Sequence, residues 1–224
     1  GFHPIYVNEL NESALKSYLA NRKESYPYLV ESESFSNDIK KIINDESIIC
    51  LRDRFKKNIK INIDNGELDL LVGGPPCQGY SGIGFRRTYS VEKKQLPSNH
   101  LYHDMAWVIS RLQPKIFLFE NVKGLTTARW TKDGNKGEIW NDVQDTFRSL
   151  KNYRIESQII LAKDYGVPQN RPRVLLVGVR SDLDISNWND SKKVANGFLP
   201  EPSYNPPDII DLLGDLIDPN YTNG

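Results

Sequence analysis

Apolar residues recur along this chain with two periods, and the changes of period mark out its elements. Leu68, Leu70, Leu71 and Val72 form a short apolar run closed by Gly73 and Gly74, which predicts a strand buried on both faces of a parallel sheet. Ile5-Tyr6-Val7 predicts an earlier strand closed by Asn8 and Glu9, and Lys115 to Phe119 a later one that delivers Glu120 at its end. Helical spacing fills the intervals. Leu10, Ala14, Tyr18 and Leu19 mark one face behind a cap at Asn11. Leu101, Met105, Val108, Ile109 and Leu112 mark another, with Ser98 or Asn99 as cap and Pro114 as terminator. Ile139, Val143, Phe147 and Leu150 mark a third, while Tyr26 to Ser36 and Trp130 to Lys136 read as irregular.

The last two strands, Ile155 to Leu161 and Val174 to Val179, are separated by about a dozen residues that include Gly166, Pro168 and Pro172. That interval is too short for a crossover helix, so the two strands should run antiparallel. The whole reads as an α/β fold, a mostly parallel sheet with helices on both faces and an antiparallel pair near its C-terminal part. From Ser186 the pattern weakens through a proline cluster, Pro200, Pro202, Pro206 and Pro207, into a linker, with one short helix at Asp208 to Leu216. Residues 1–185 are therefore expected to form a core domain and 186–224 a linker with the start of a further region.

Composition narrows the classes. A chain of 224 residues suits one α/β domain with a substantial core. Two cysteines and three histidines, with no ligand spacing among them, provide neither a zinc site nor a disulfide framework. No leader or long apolar span is visible, so a soluble, cytoplasmic protein is expected. The formal net charge is zero, which does not by itself predict a nucleic-acid partner; basic patches at Arg52 to Lys60 and at Arg86, Arg87, Lys93 and Lys94 are local exceptions.

The candidate chemistry follows the first long apolar run. Pro75 and Pro76 stiffen the backbone after the strand and present Cys77 at the edge where ligands of α/β sheets gather. The residues after it are rich in glycine and polar groups and carry Arg86 and Arg87, so the thiol is expected to be reachable and its thiolate favoured by nearby cations. Gly73-Gly74-Pro75-Pro76-Cys77-Gln78-Gly79-Tyr80-Ser81 resembles the nucleophile motif of the cytosine-5 DNA methyltransferases. Glu120-Asn121-Val122 and Gln169-Asn170-Arg171-Pro172-Arg173 resemble two further blocks of that family, in the family's order.

The resemblance implies a Rossmann-like methyltransferase fold and methyl transfer from S-adenosylmethionine to C5 of a cytosine flipped out of double-stranded DNA. By resemblance Cys77 is the nucleophile that adds to C6, Glu120 addresses N3 and Arg173 addresses O2, with Arg171 bracing the site or reaching phosphate. An ion pair with a neighbouring arginine is the structural alternative for Glu120. Glu9 takes the acid that accepts from ribose hydroxyls, beside Leu10; its alternative is a solvated strand-end carboxylate. Asp38 and Ile39 resemble the adenine-contacting block, although Asp38 also suits a helix cap and Asp53 is a rival for its role. Leu101 and Pro76 fall where family members line the cofactor pocket. Gln78, Ser81, Asn121 and Gln169 are assigned to the substrate DNA, and the loop from Tyr80 to Leu96 is expected to close over the flipped base.

The family's first motif, its sequence-reading domain and its late motifs are not found in these residues, so a catalytic-core fragment is expected, one that by itself binds cofactor poorly. The expected setting is a microbial restriction-modification enzyme acting as a monomer, without metal and away from membranes. Methylation of tRNA by the same addition chemistry, and a catalytically silent nucleic-acid-binding or scaffolding fragment, are the alternatives.

Overall fold

The computed structural model describes residues 2–31, 33–76, 96–184, 194–195, 199–200, 202 and 206–216. The chain divides into two compact units, Gly1–Leu71 with His100–Ile116, and Val72–Asn99 with Phe117–Gly224.

In the first unit β1 (Val7–Asn8) pairs in parallel with β2 (Phe35–Ser36), Val7 opposite Phe35 and Asn8 opposite Ser36. β2 lies in a stretch expected to be irregular, because two residues are too few for an alternating pattern to show. Helix α1 (Glu12–Arg22) starts where predicted, with Asn11 Oδ1 accepting from Ala14 N at 3.0 Å. Its buried side is centred on Leu15, whereas Ala14 and Leu10 are exposed, so the predicted face is rotated. Helix α2 (Asp45–Arg54) is capped by Asn44, which accepts from Ser47 N at 2.8 Å, and runs into a π turn at Phe55–Ile59. Helix α3 (Leu101–Leu112) is preceded by a 3-10 turn at Pro97–His100. That turn moves the cap to His100, so neither Ser98 nor Asn99 holds it. The helix ends at Gln113, left-handed at φ 45°, with Pro114 directly after it.

The core of this unit is built from Ile48, Leu51 and Phe55, with Val108 and Leu112 of α3 and Leu68. Arg54 is buried against it, Nη2 donating to Ser34 Oγ at 2.6 Å, and Arg52 is paired with Asp64. Burial pulls the Arg54 guanidinium pKa down, with Glu33 pulling the other way. Of the basic run from Arg52 to Lys60, the two arginines are thus engaged within the fold, while Lys56, Lys57 and Lys60 are exposed.

β3 (Leu70–Gly73) and β4 (Ile116–Val122) begin in the first unit and continue into the second. With β5 (Tyr153–Leu161) and β6 (Pro172–Arg180) they form a mostly parallel sheet of order β3-β4-β6-β5. β5 and β6 are antiparallel, as their short connection requires, in a register running from Leu161 opposite Pro172 to Tyr153 opposite Arg180. β3 departs from expectation. It is an outer strand among the described residues and Val72 is 60% exposed, so it is not buried on both faces.

β4 alternates strictly, with Phe117, Phe119 and Asn121 buried and the residues between them half-buried. It is longer than predicted and carries Glu120 and Asn121 within the strand. Phe117 and Phe119 pack on Phe147 of α4 (Glu138–Arg148), with ring centroids 5.4 and 5.2 Å apart. Beyond β6, β7 (Val194–Ala195) pairs with β8 (Leu199–Pro200), and Asp208 caps the short α5 (Ile209–Leu213) where a helix was expected. Among the described residues no helix is long and apolar enough to cross a membrane.

Gly178 of β6 sits over the ring of Phe117, where a Cβ would fall 2.0 Å from Cε1. Both partners belong to packed strands, so relief requires moving the aromatic core. Gly178→Ala should cost about 1–3 kcal/mol, read as a lower urea midpoint at unchanged slope. A midpoint equal to the parent's would refute the packing described.

Candidate active site

The site of interest is built in the second unit, from the turn after β3, the end of β4 and the start of β6. Cys77, Gln78 and Ser81 lie outside the described residues, as does most of the segment from Tyr80 to Leu96. The turn that leads to Cys77 is described up to Pro76.

Glu120 lies against that turn. A Cβ built on Gly74 would stand 3.3 Å from Glu120 Oε2 and 3.8 Å from its backbone oxygen. Glycine is what allows the backbone so close to the carboxyl group. The other carboxyl oxygen is taken by β6. Arg173 Nε lies 2.6 Å from Glu120 Oε1, with side chains 19% and 40% exposed, and Arg173 Nη1 donates to Pro172 O at 2.9 Å. The acid and the guanidinium picked out in the sequence thus meet beside the cysteine turn, and the ion pair offered as the structural alternative for Glu120 is made with the other candidate catalytic residue. A carboxyl beside a planar, permanently charged donor can address two adjacent polar positions on the edge of a flat ring.

Asn121 points the other way. It is 3% exposed, Nδ2 donates to Pro75 O at 3.1 Å, and Oδ1 accepts from Val122 N at 2.9 Å. Expected to reach nucleic acid, it is instead turned onto the backbone of the turn. Arg171 stands one residue before β6 and is exposed, as is Gln169, whose oxygen accepts from Arg171 N at 2.9 Å. β6 begins at the proline between Arg171 and Arg173, so strand alternation assigns Arg171 no face. Asn121 as a brace and Gly74 as a point of close approach were missed in the sequence; a glycine before two prolines was the available signal.

The nucleoside-type residues belong to the first unit. Glu9 directly follows β1 and its N–H donates to Ser36 O at 3.1 Å, so it stands beside the end of β2, which Asp38 closely follows. Two acids are thereby placed at the carboxyl ends of adjacent parallel strands, where nucleotides bind in α/β folds. Glu9 Oε1 accepts from Asn11 N at 2.8 Å, and Asp38 Oδ1 accepts from Lys40 N at 2.9 Å, the cap it was also suited for. Leu10 is 73% exposed beside Glu9, Ile39 is half-buried after Asp38, and Leu101 is half-buried at the start of α3. Acids for hydroxyl or amino groups, with the open side chain of Leu10 beside one of them, are groups that a nucleoside can use. Asp53, the rival acid, is exposed on α2, away from both strand ends in sequence. Pro76 is exposed, in the second unit. Among the described residues no group of three or more His, Cys, Asp or Glu is placed to hold a metal.

The pairing of Glu120 with Arg173 should appear in a double-mutant cycle of Glu120→Ala and Arg173→Ala. The 40% exposure of the carboxyl screens the pair, so a coupling of about 1 kcal/mol in urea unfolding is expected. Strictly additive losses would show that the contact is not maintained in solution.

Comparison with known proteins bears on the family and the fold. The profile of the C-5 cytosine-specific DNA methylases matches residues 1–224. The chain is 32% identical over 185 residues to Type II methyltransferase M.BspRI of Lysinibacillus sphaericus, covering 83% of this chain and 34% of that one. It is 28% identical over 218 residues to Type II methyltransferase M1.HphI of Haemophilus parahaemolyticus, covering 97% and 46%. A DNA modification methyltransferase encoded within an E. coli prophage superposes with a TM-score of 0.58 at 26% identity, over 93% of this chain and 47% of that structure. The chain thus spans less than half the length of each of these relatives. It belongs to the C-5 cytosine-specific DNA methylase family.

Proposed function

We propose that this chain is the catalytic core of an enzyme that methylates C5 of a cytosine flipped out of double-stranded DNA, with S-adenosylmethionine as donor. The observation that carries the reading is the contact of Arg173 with Glu120 beside Gly74, at the foot of the turn that leads to Cys77.

Cytosine C5 is a poor nucleophile until something adds to the ring. A Cys77 thiolate attacking C6 forms the sulfur–carbon bond while the C5=C6 electrons shift toward N3 and O2, leaving C5 as the carbon of an enamine. Charge then develops at the polar edge. Glu120 is assigned to N3, and Arg173 donates to O2 as a fixed cation that needs no reorganisation. S-adenosylmethionine, when bound, supplies the electrophile, a methyl group carried on a sulfonium. Loss of the C5 proton and expulsion of the Cys77 thiolate restore the aromatic ring.

For the cofactor, Glu9 is assigned to the ribose hydroxyls and Asp38 to the adenine amino group, with Leu10, Ile39 and Leu101 as the apolar lining. Its fit to these residues rests on the two acids at adjacent parallel strand ends. The target nucleotide must leave the base stack at a cost of roughly a few kcal/mol, which contacts to DNA offset. Gln78, Ser81, Gln169 and Arg171 are assigned to those contacts. Residues 1–185 form the core in this reading, and 186–224 the approach to a segment that reads sequence. The type II relatives favour a microbial restriction-modification setting; that the protein acts there as a cytoplasmic monomer is part of the same proposal.

Duplex DNA in which 5-fluorocytosine replaces cytosine tests the mechanism, because fluorine blocks the final elimination. With S-adenosylmethionine the full-length protein should form a covalent adduct. Cys77→Ala should abolish it and Cys50→Ser, at an exposed thiol of α2, should leave it intact. An adduct that persists in Cys77→Ala ends the proposal. Arg173→Lys keeps the charge but loses the planar fork, and should lower single-turnover methylation about 100-fold with DNA affinity little changed. Equal rates for the two would remove Arg173 from the reaction.

A further inference from the structure

We infer that Asn121 is a positioning residue that fixes the Cys77 turn through the Pro75 carbonyl, an inference that rests on the function proposed above. Asn121 occupies the third inward position of β4, after Phe117 and Phe119, in a series where an apolar side chain would satisfy burial at no polar cost. A polar group there is tolerated only when its hydrogen bonds are made. Both are made, and both go to backbone, at Pro75 O and at Val122 N.

The amide has one workable orientation. Were it flipped, its NH₂ group would face the Val122 N–H and its oxygen would face the Pro75 oxygen, two like contacts in a buried place. The Val122 N–H therefore holds Oδ1, and the donor is left aimed at the turn. The turn in turn needs an external hold. Pro75 and Pro76 have no N–H between them, so neither can donate a backbone hydrogen bond that would anchor the chain just before Cys77. Only carbonyls remain, and the Pro75 carbonyl is the one Asn121 takes. On the opposite side of β4, Glu120 lies against Gly74 of the same turn. Consecutive residues of one strand thus grip consecutive residues of the turn, the acid at Gly74 and the amide at Pro75.

Covalent addition is sensitive to such a hold. A nucleophile displaced by about 1 Å from its attack position loses roughly 100-fold in rate. Asn121 does not touch the reacting base in this account; it acts through the turn.

The test uses the full-length protein in a Cys50→Ser background, a random-sequence duplex carrying 5-fluorocytosine, and S-adenosylmethionine, with the rate of covalent adduct formation as readout. Asn121→Ala should slow adduct formation about 10- to 100-fold while the dissociation constant for S-adenosylmethionine stays within about twofold. Asn121→Asp separates donation from packing, since it has nearly the same shape. Its buried carboxyl titrates above the ordinary range, so at pH 6 it retains an O–H to donate to Pro75 and at pH 8.5 it presents a charge to that oxygen. Its rate relative to the parent should therefore fall at least tenfold from pH 6 to 8.5. The same ratio for Asn121→Ala should be flat, because Cys77, Glu120 and Arg173 are common to every arm and cancel. Parent-like rates in Asn121→Ala, or a pH-independent ratio in Asn121→Asp, would overturn the inference while leaving the proposed function standing. A parent protein that forms no adduct would instead remove the function on which it rests.

Discussion

The alternation of side chains along β4 is the constraint from which most of the second unit follows. Phe117, Phe119 and Asn121 point to the interior, so the strand's core contacts and its one buried amide share a side. Glu120 then has no choice but the other side, where Arg173 and Gly74 meet it. A slip of one residue would bury the carboxyl among phenyl rings and put an aromatic ring against the cysteine turn. Register is held from the other flank as well. Gly178 is the position of β6 that lets Phe117 close over the strand, and any side chain there would displace the ring that fixes β4. The aromatic core and the polar cluster are thus one object, read from two sides of a single strand.

The consecutive prolines gain meaning in that frame. They restrict the backbone without anchoring it, since stiffness in dihedral angles does not fix where a segment lies. Placement has to come from a neighbouring element, and two residues of β4 supply it, Asn121 to the Pro75 carbonyl and Glu120 against Gly74. Arg173 adds a third tie, at one remove, by holding the Glu120 carboxyl from β6. The turn up to Pro76 is held by residues distant in sequence, which is how separate blocks of the chain come to matter together.

Much of this was legible beforehand, and the limits have physical causes. The antiparallel run of β5 and β6 followed from an interval too short for a crossover, and the stripe of Ile139, Val143 and Phe147 is buried as its spacing required. The two-residue strands β2, β7 and β8 escaped, because a period of two needs more than two residues to be seen. The start of α3 was misplaced because the 3-10 turn at Pro97–His100 consumes the residues that looked like caps. Val72 was expected inside since an apolar run carries no information about whether a neighbouring strand exists. In the site, the sequence motifs named Glu120 and Arg173 but not their contact, and they left Asn121 facing the wrong partner. Which way a side chain in a strand points depends on where the strand ends, and the predicted end fell short of Asn121.

The neutral net charge is the remaining puzzle for a protein proposed to bind DNA, and the distribution of cations addresses it. In the first unit several bases are occupied within the fold: Lys40 with Asp104, Arg111 with Asp45, Lys115 with Asp69, Arg52 with Asp64, and Arg54 buried against Ser34. Each acid so used cancels a charge in the total but was never available to repel a phosphate. In the second unit Lys123, Arg129, Lys132 and Lys136 are exposed and follow directly on β4, the strand that carries Glu120. Phosphates respond to the local field within about a Debye length, roughly 8 Å at physiological salt, and not to the sum over a whole chain. A zero total over the whole chain is therefore compatible with a polyanionic substrate approaching these exposed cations of the second unit.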